Sequence, residues 1–288
     1  MSAAKTLVAA WTAARKRLEA AGVDTPVLDA RMLVEAGAGV ERIDIVTDPH
    51  RALDDLQWEA VEALMARREA REPISHIVGK KGFWTLELAV TPAVLTPRPE
   101  TELLVAHVIE RTAADADFTV LDLGVGSGAV LLSILTERAR ANGLGLDASI
   151  PALAVAQANA DALELGPRAA FMHGEWEAAQ GAFDFVVSNP PYVRSGDIGL
   201  LAPEVAKYEP RAALDGGPDG LESYRRIVEA LPRLLKPGGS FALEIGQGQA
   251  EAVWALASRA GLRPEGVRKD LAGIDRVVWG MGGDAGGG

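Results

Sequence analysis

Asn189, Pro190, Pro191 and Tyr192 stand together where an apolar run, Phe183 to Val187, comes to an end. The run reads as a buried strand. Two consecutive prolines cannot donate to a sheet ladder, so the strand must stop there and the chain must turn. An amide side chain, a proline carbonyl and an aromatic ring are thereby presented at a strand's carboxyl end, where open α/β sheets bind ligands. The group suits a planar NH2: Asn189 Oδ1 and the Pro190 carbonyl can accept its two hydrogens while Tyr192 packs against its face.

A second constellation lies upstream. A hydrophobic strand from Phe118 runs into Gly124, Val125, Gly126, Ser127 and Gly128, and a helix begins near Ala129. Glycines let a backbone bend sharply and approach a ligand closely. The spacing is Gly-x-Gly-x-Gly, whereas the dinucleotide fingerprint is Gly-x-Gly-x-x-Gly. With Asp122 inside the strand end, this favours a methionine-adenosine cofactor, although a plain tight turn needs the same glycines. The next strand, Leu144 to Ser149, carries Asp147 at its end. A carboxylate there can bind both ribose hydroxyls, each charge-assisted bond contributing roughly 1.5–3 kcal/mol; as a solvated cap it would mean nothing. A third strand, Ala169 to His173, leads to Trp176, which can stack on an adenine edge or simply pack in the core. Arg98 precedes Pro99, Glu100 and Glu102, a helix start favoured by the helix dipole. It is also placed to line a cofactor's amino-acid end.

The elements that position these residues follow from period and punctuation. From Ala3 to about Arg71 apolar residues recur at three- and four-residue steps between Gly22, Gly37, Gly39 and the Asp48, Pro49 break, which predicts a small helical bundle. Pro73 to Thr96 changes period and predicts a β-hairpin. Arg194 to Asp219 reads as a loop, placed as a substrate-facing lid. A helix over Leu221–Leu235 stops at Lys236, Pro237, Gly238 and Gly239. A fifth strand over Phe241–Ile245, a helix over Gln249–Ala260 and an antiparallel pair, Val267–Asp270 with Arg276–Met281, complete the chain. The domains expected are 1–80, a helical substrate-recognition domain; 81–97, a hairpin linker; 98–281, the cofactor domain; and 282–288, a disordered glycine-rich tail.

Composition narrows the chemistry. The 288 residues, 48% of them hydrophobic, suffice for a full core. No apolar run reaches the roughly 18 residues of a membrane span. With no cysteine, disulfides and thiolate sites are excluded, which suits a cytoplasmic protein. The four histidines, His50, His76, His107 and His173, are far apart, so no metal is expected. A net charge of −11 argues against gripping long nucleic acid by its phosphates.

Taken in order, the glycine loop, Asp147 and the Asn189 to Tyr192 turn resemble the cofactor and amine-acceptor motifs of class I S-adenosylmethionine-dependent methyltransferases. The runs Pro97–Glu102, Glu209–Gly217, Leu235–Gly239 and Leu243–Gly246 resemble the PrmC/HemK family, from about Asp29 to Gly282 and most specifically between Thr91 and Gly246. Val125 and Ser127 stand where threonines are common in that family, and no glycine is lost. The resemblance implies an α/β fold, a Rossmann-like seven-stranded methyltransferase domain preceded by the helical bundle and hairpin. It implies S-adenosyl-L-methionine as cofactor, with Gly124 to Gly128 around its methionine part, Asp147 on the ribose, Trp176 on the adenine side and Asn189 also in contact. It implies methylation of the glutamine N5 in the Gly-Gly-Gln loop of class I peptide chain release factors by a cytoplasmic monomer, with Asn189 to Tyr192 holding the target. A ribosomal-protein glutamine, a nucleic-acid amino group and an inert scaffold remain as alternatives.

Overall fold

A computed structural model describes residues 5–283. Most of the expected tail, from residue 284, and the expected helix start at Ala3 lie outside the described residues. In chain order the elements are helices α1 (Leu7–Ala20), α2 (Pro26–Ala38), α3 (Arg42–Thr47), α4 (Asp55–Glu69) and α5 (Ile74–Val78), then strands β1 (Lys80–Phe83) and β2 (Leu86–Ala89). Next come α6 (Glu102–Ile109), β3 (Thr119–Leu123), α7 (Ala129–Glu137), β4 (Asn142–Asp147), α8 (Ile150–Ala162), β5 (Ala169–His173) and β6 (Phe183–Ser188). The chain closes with α9 (Pro203–Tyr208), α10 (Glu222–Leu234), β7 (Leu235–Glu244), α11 (Ala250–Arg259), β8 (Arg263–Lys269) and β9 (Asp275–Met281). Two compact units result, one built on residues up to 80 together with 202–208, the other on 81–201 and 209 onward.

The first unit is a helical bundle. Thr6 caps α1 by accepting from the Ala9 amide, and Asp54 with Gln57 forms a reciprocal capping box on α4. Leu18, Leu33 and Met65 fill one part of its core and Leu7, Val34 and Val61 another. Helices α2 and α4 touch where Gly37 sits, since a Cβ there would lie 2.7 Å from Val61 Cα. The bundle also captures α9, in a stretch that reads as loop from sequence. Glu204 receives Arg71 through both carboxylate oxygens at 2.6 and 2.8 Å and Arg68 at 2.9 Å. Tyr208 donates to the Ala70 carbonyl at 2.7 Å. A six-residue helix cannot stand alone; these contacts hold it.

The second unit is a seven-stranded sheet in the order β5-β4-β3-β6-β7-β9-β8. The pairs from β5 through β7 are parallel, and β9 runs antiparallel to both β7 and β8. Side chains alternate across β3: Val120 joins the layer with α6, α7 and α8, while Leu121 and Leu123 face Tyr224, Ile227 and Leu231 of α10. Strand order reverses between β3 and β6, which opens a crevice at their carboxyl ends.

The hairpin β1–β2 is anchored: Asn159 of α8 accepts from the Ala89 amide at 2.8 Å and donates to the Ala89 carbonyl at 3.1 Å and the Ser127 carbonyl at 2.9 Å. One side chain thus fixes the hairpin and the glycine loop together. Lys236 to Gly239 do follow the end of α10, but they lie inside β7. The pairing of β7 with β6 jumps from Phe183↔Leu235 to Phe185↔Ser240, so the four residues form a bulge at the strand entrance.

Candidate functional site

At the carboxyl edge of β3, β4, β5 and β6 lies a cavity of about 680 Å³, within the usual range for small-molecule sites. Among the residues expected at the site, Gly124, Val125, Gly126, Ser127, Asp147, Trp176, Asn189 and Pro191 line it. Gly128, Pro190 and Tyr192 do not line it. A Cβ on Gly128 would stand 2.9 Å from Leu132 Cδ1, and its φ of 83° favours glycine at the start of α7. Pro190 is buried, and Tyr192 is half-buried with its hydroxyl 3.4 Å from Glu244 Oε1.

The glycine loop is shaped as a cradle. The amides of Gly124 and Val125 both donate to the Leu146 carbonyl, at 2.8 and 3.0 Å, which folds the loop back over β4. Gly124 and Gly126 adopt φ of 81° and 55°, and no atom stands within 4 Å of where a Cβ would be. Their open side belongs to the cavity that both glycines line. Asp147 is set in place at both ends of its carboxylate: the Gly126 amide donates to Oδ2 at 2.9 Å and the Ser149 amide to Oδ1 at 2.8 Å. Each oxygen keeps a lone pair for a hydroxyl.

Around Trp176 the structure adds a partner that sequence did not suggest. The Arg226 guanidinium lies over the indole, 4.9 Å from its centroid, and is itself held by Glu175 at 2.9 Å and Glu177 at 2.7 Å. One indole face is therefore engaged by a cation. Also in the lining, Arg98 donates to Glu209 at 2.6 Å. Burial pushes the Glu209 carboxyl up while Arg98 and the Thr96 hydrogen bonds pull it down, with a net rise.

Asn189 has a fixed orientation. Its Nδ2 donates to Thr101 Oγ1 at 3.1 Å, which leaves Oδ1 as the end available to accept. Behind it the turn is clamped by Gln249, whose Nε2 donates to the carbonyls of Tyr192 and Gly220 at 3.0 and 3.2 Å and whose Oε1 accepts from the Gly246 amide at 2.9 Å. A Cβ on Gly216 would lie 2.8 Å from Tyr192 Cα, so only glycine lets that loop close on the turn.

The cavity is acidic. Asp122, Asp147, Glu175, Asp215 and Glu222 line it, against Arg98 and Arg226, both already paired. Burial, with Asp147 nearby, pushes the Asp122 carboxyl from 3.8 up to about 7, despite a hydrogen bond from the Leu131 amide. The sign of the consequence is set by which state keeps its proton. Below about pH 3 both the folded and the unfolded chain carry a largely neutral Asp122, and it contributes little to pH dependence. As pH rises toward 7 the unfolded chain ionises first, so folding loses up to about 4 kcal/mol at this residue. Asp122→Asn is therefore expected to differ least from the wild type near pH 3 and to exceed it in stability near pH 8, as read by urea denaturation. Parallel stability curves across that range would contradict the assignment.

Two family descriptions match the chain, the PrmC N-terminal domain over residues 9–79 and the Methyltransferase small domain over residues 99–207. The release factor glutamine methyltransferase of Caulobacter vibrioides is 53% identical over 278 residues, covering 96% of each chain. That of Rhodospirillum rubrum is 46% identical over 266 residues, covering 91% of this chain and 81% of the other. A solved methyltransferase from Pyrococcus furiosus shares the fold, with a TM-score of 0.51 at 16% identity over 77% of this chain and 98% of that one.

Proposed function

The chain belongs to the release factor glutamine methyltransferase family, and from that premise we propose that it methylates the side-chain N5 of the glutamine in the Gly-Gly-Gln motif of class I peptide chain release factors. The single observation that carries the chemistry is Asn189, its nitrogen engaged by Thr101 and its oxygen left to accept at the edge of an acidic, glycine-cradled cavity. That cavity fits S-adenosyl-L-methionine. Gly124 and Gly126 leave room for a close backbone approach, Asp147 keeps lone pairs for ribose hydroxyls, and the acidic lining suits a cationic ligand. When bound, S-adenosyl-L-methionine supplies an electrophilic methyl group.

The chain's own contribution is to prepare a poor nucleophile. An amide nitrogen shares its lone pair with the carbonyl. Asn189 Oδ1 and the Pro190 carbonyl accept the two hydrogens of the target NH2 and turn its lone pair out of conjugation. Alignment is then the main catalytic effect. Positive charge develops on that nitrogen as it gains the methyl, and the two oxygen acceptors stabilise it. One N–H proton then leaves to water. Trp176, braced by Arg226, takes the adenine side, and the helical unit, 1–80 with α9, grips the protein substrate.

Placement in the cytoplasm and action as a monomer without nucleic acid complete the reading. The net charge of −11 argues against a nucleic-acid partner, and no helix among the described residues is long and apolar enough to cross a membrane. The test is transfer of labelled methyl to release factor, ribosomal protein or DNA. Label is expected on the release factor alone, and it should vanish when the Gly-Gly-Gln glutamine is replaced. Label that survives that replacement would refute the substrate.

A further inference from the structure

Gln249 stands at the N-cap of α11, a place that favours serine, threonine, aspartate and asparagine because a short side chain there accepts from the first helix amides. Its own side chain makes no capping bond. Its hydrogen bonds run instead to residues outside α11. Nε2 gives one hydrogen to the Tyr192 carbonyl at 3.0 Å and the other to the Gly220 carbonyl at 3.2 Å, while Oε1 accepts from the Gly246 amide at 2.9 Å. These partners fix which end is which. Turned over, the amide would set its oxygen against two carbonyls and its NH2 against an N–H.

The two carbonyls belong to different parts of the site. Tyr192 closes the Asn189 turn, in which Pro190 and Pro191 have no amide hydrogen through which the chain could be tied down. Gly220 follows Gly217 and Pro218, which line the cavity together with Glu222 and Ser223. The approach is close. A Cβ on Gly220 would stand 2.6 Å from the Tyr192 carbonyl oxygen and 2.9 Å from Gln249 Nε2. Ordering a long glutamine side chain has an entropic cost that a short cap avoids, so the needs of α11 do not account for this residue. Joining the turn to the cavity wall does.

We propose that Gln249 is a positioning residue for methyl transfer, holding the Asn189 to Tyr192 turn in register with the loop that walls the cavity. The inference rests on the glutamine-methylation reading and deepens it. Without this side chain the turn and the cradle keep their own contacts, and what is lost is their relative placement. A displacement of about 1 Å between reacting groups costs roughly 10²-fold in rate. Gln249→Glu keeps the length and the acceptor for Gly246, removes both hydrogens from the carbonyls, and places its charge at a helix N-terminus, where it is favoured. Gln249→Met keeps the length with neither polar group. Under conditions where urea denaturation shows the variants folded, kcat with release factor as acceptor is expected to fall about tenfold or more in each. KM for S-adenosyl-L-methionine and for release factor should stay within about threefold of wild type. Added to Asn189→Ala, Gln249→Met should cost clearly less than it does in the wild type, because the acceptor it sets in place is already gone. Wild-type turnover in either single variant, losses in KM as large as those in kcat, or losses that multiply in full in the double would each overturn the proposal. A readout independent of any acceptor separates this failure from failure of the proposed reaction: with S-adenosyl-L-methionine bound, the Asn189 side-chain amide resonances should move in both Gln249 variants. Resonances unmoved in both would also overturn it.

Discussion

Replacing Asn189 by alanine is expected to lower turnover about 10²- to 10³-fold, while KM for S-adenosyl-L-methionine stays within about threefold of wild type. The magnitude is that of removing one preorganised hydrogen-bonding group from the place where charge develops. The asymmetry follows from position. In the proposed mechanism Asn189 contributes a single acceptor at the rim of the cavity, whereas the proposed cofactor cradle is formed by Gly124, Gly126 and Asp147 through contacts that do not pass through Asn189. An interaction formed with the reacting nitrogen is lost from kcat, and one shared with the ground state is lost from KM. Steady-state kinetics with release factor as acceptor, together with calorimetric binding of S-adenosyl-L-methionine, distinguish the two. Equal losses in turnover and cofactor affinity would show that Asn189 supports the cradle instead, and the proposed mechanism would fail.

The turn that carries Asn189 is legible in sequence because its causes are local. An apolar run sets the strand, and Pro190 with Pro191 forbids its continuation, so β6 ends at Ser188. Asp147 and the glycine loop are legible for the same reason: strand, breaker and acid follow one another along the chain. What orients Asn189 is not local. Thr101 stands 88 residues upstream, so no spacing rule links the two. In sequence Thr101 reads as part of a helix start, and only the folded chain sets its hydroxyl against the Asn189 amide.

The helix α9 was hidden for a related reason. Six residues following Ala202 have too little helical propensity of their own to be read against turn-rich neighbours, and the force that holds them comes from arginines in α4 and just beyond it. In sequence Gly216 and Gly246 stand only inside runs that resemble the PrmC/HemK family. Their purpose is the approach of backbone to Tyr192, where Cβ atoms would stand 2.8 Å from Tyr192 Cα and 3.0 Å from Tyr192 Cδ2. Sequence supplies glycine as a permission; what uses the permission is a tertiary neighbour.

The second large effect falls on stability. Arg68→Met is expected to destabilise the helical unit by about 3–5 kcal/mol, although Arg67→Met next to it should cost about 1 kcal/mol or less. Arg67 pairs with Glu72 at 2.6 Å on the surface, its side chain 44% exposed. Arg68 is only 6% exposed and joins Asp29, 1% exposed, at 2.7 Å, Glu204 at 2.9 Å and the Glu72 carbonyl at 3.1 Å. Without Arg68, Glu204 keeps Arg71, but Asp29 keeps only the Thr25 hydroxyl at 2.8 Å and becomes a stranded buried charge. Burial alone would raise the Glu204 pKa, yet the bonds from Arg71 and Arg68 outweigh it and hold it below its ordinary value. Its contribution is thus present above the ordinary carboxylate range and fades as pH falls through the lowered pKa. Hydrogen exchange in α2 and α4, beside urea denaturation, reads the effect where it arises. Removing both charges, as Asp29→Leu/Arg68→Met, should recover much of the loss, because the penalty lies in the abandoned carboxylate more than in the missing pair. A double variant as unstable as the two singles combined, or an Arg68→Met no weaker than Arg67→Met, would mean that the buried ion pair does not hold this unit together.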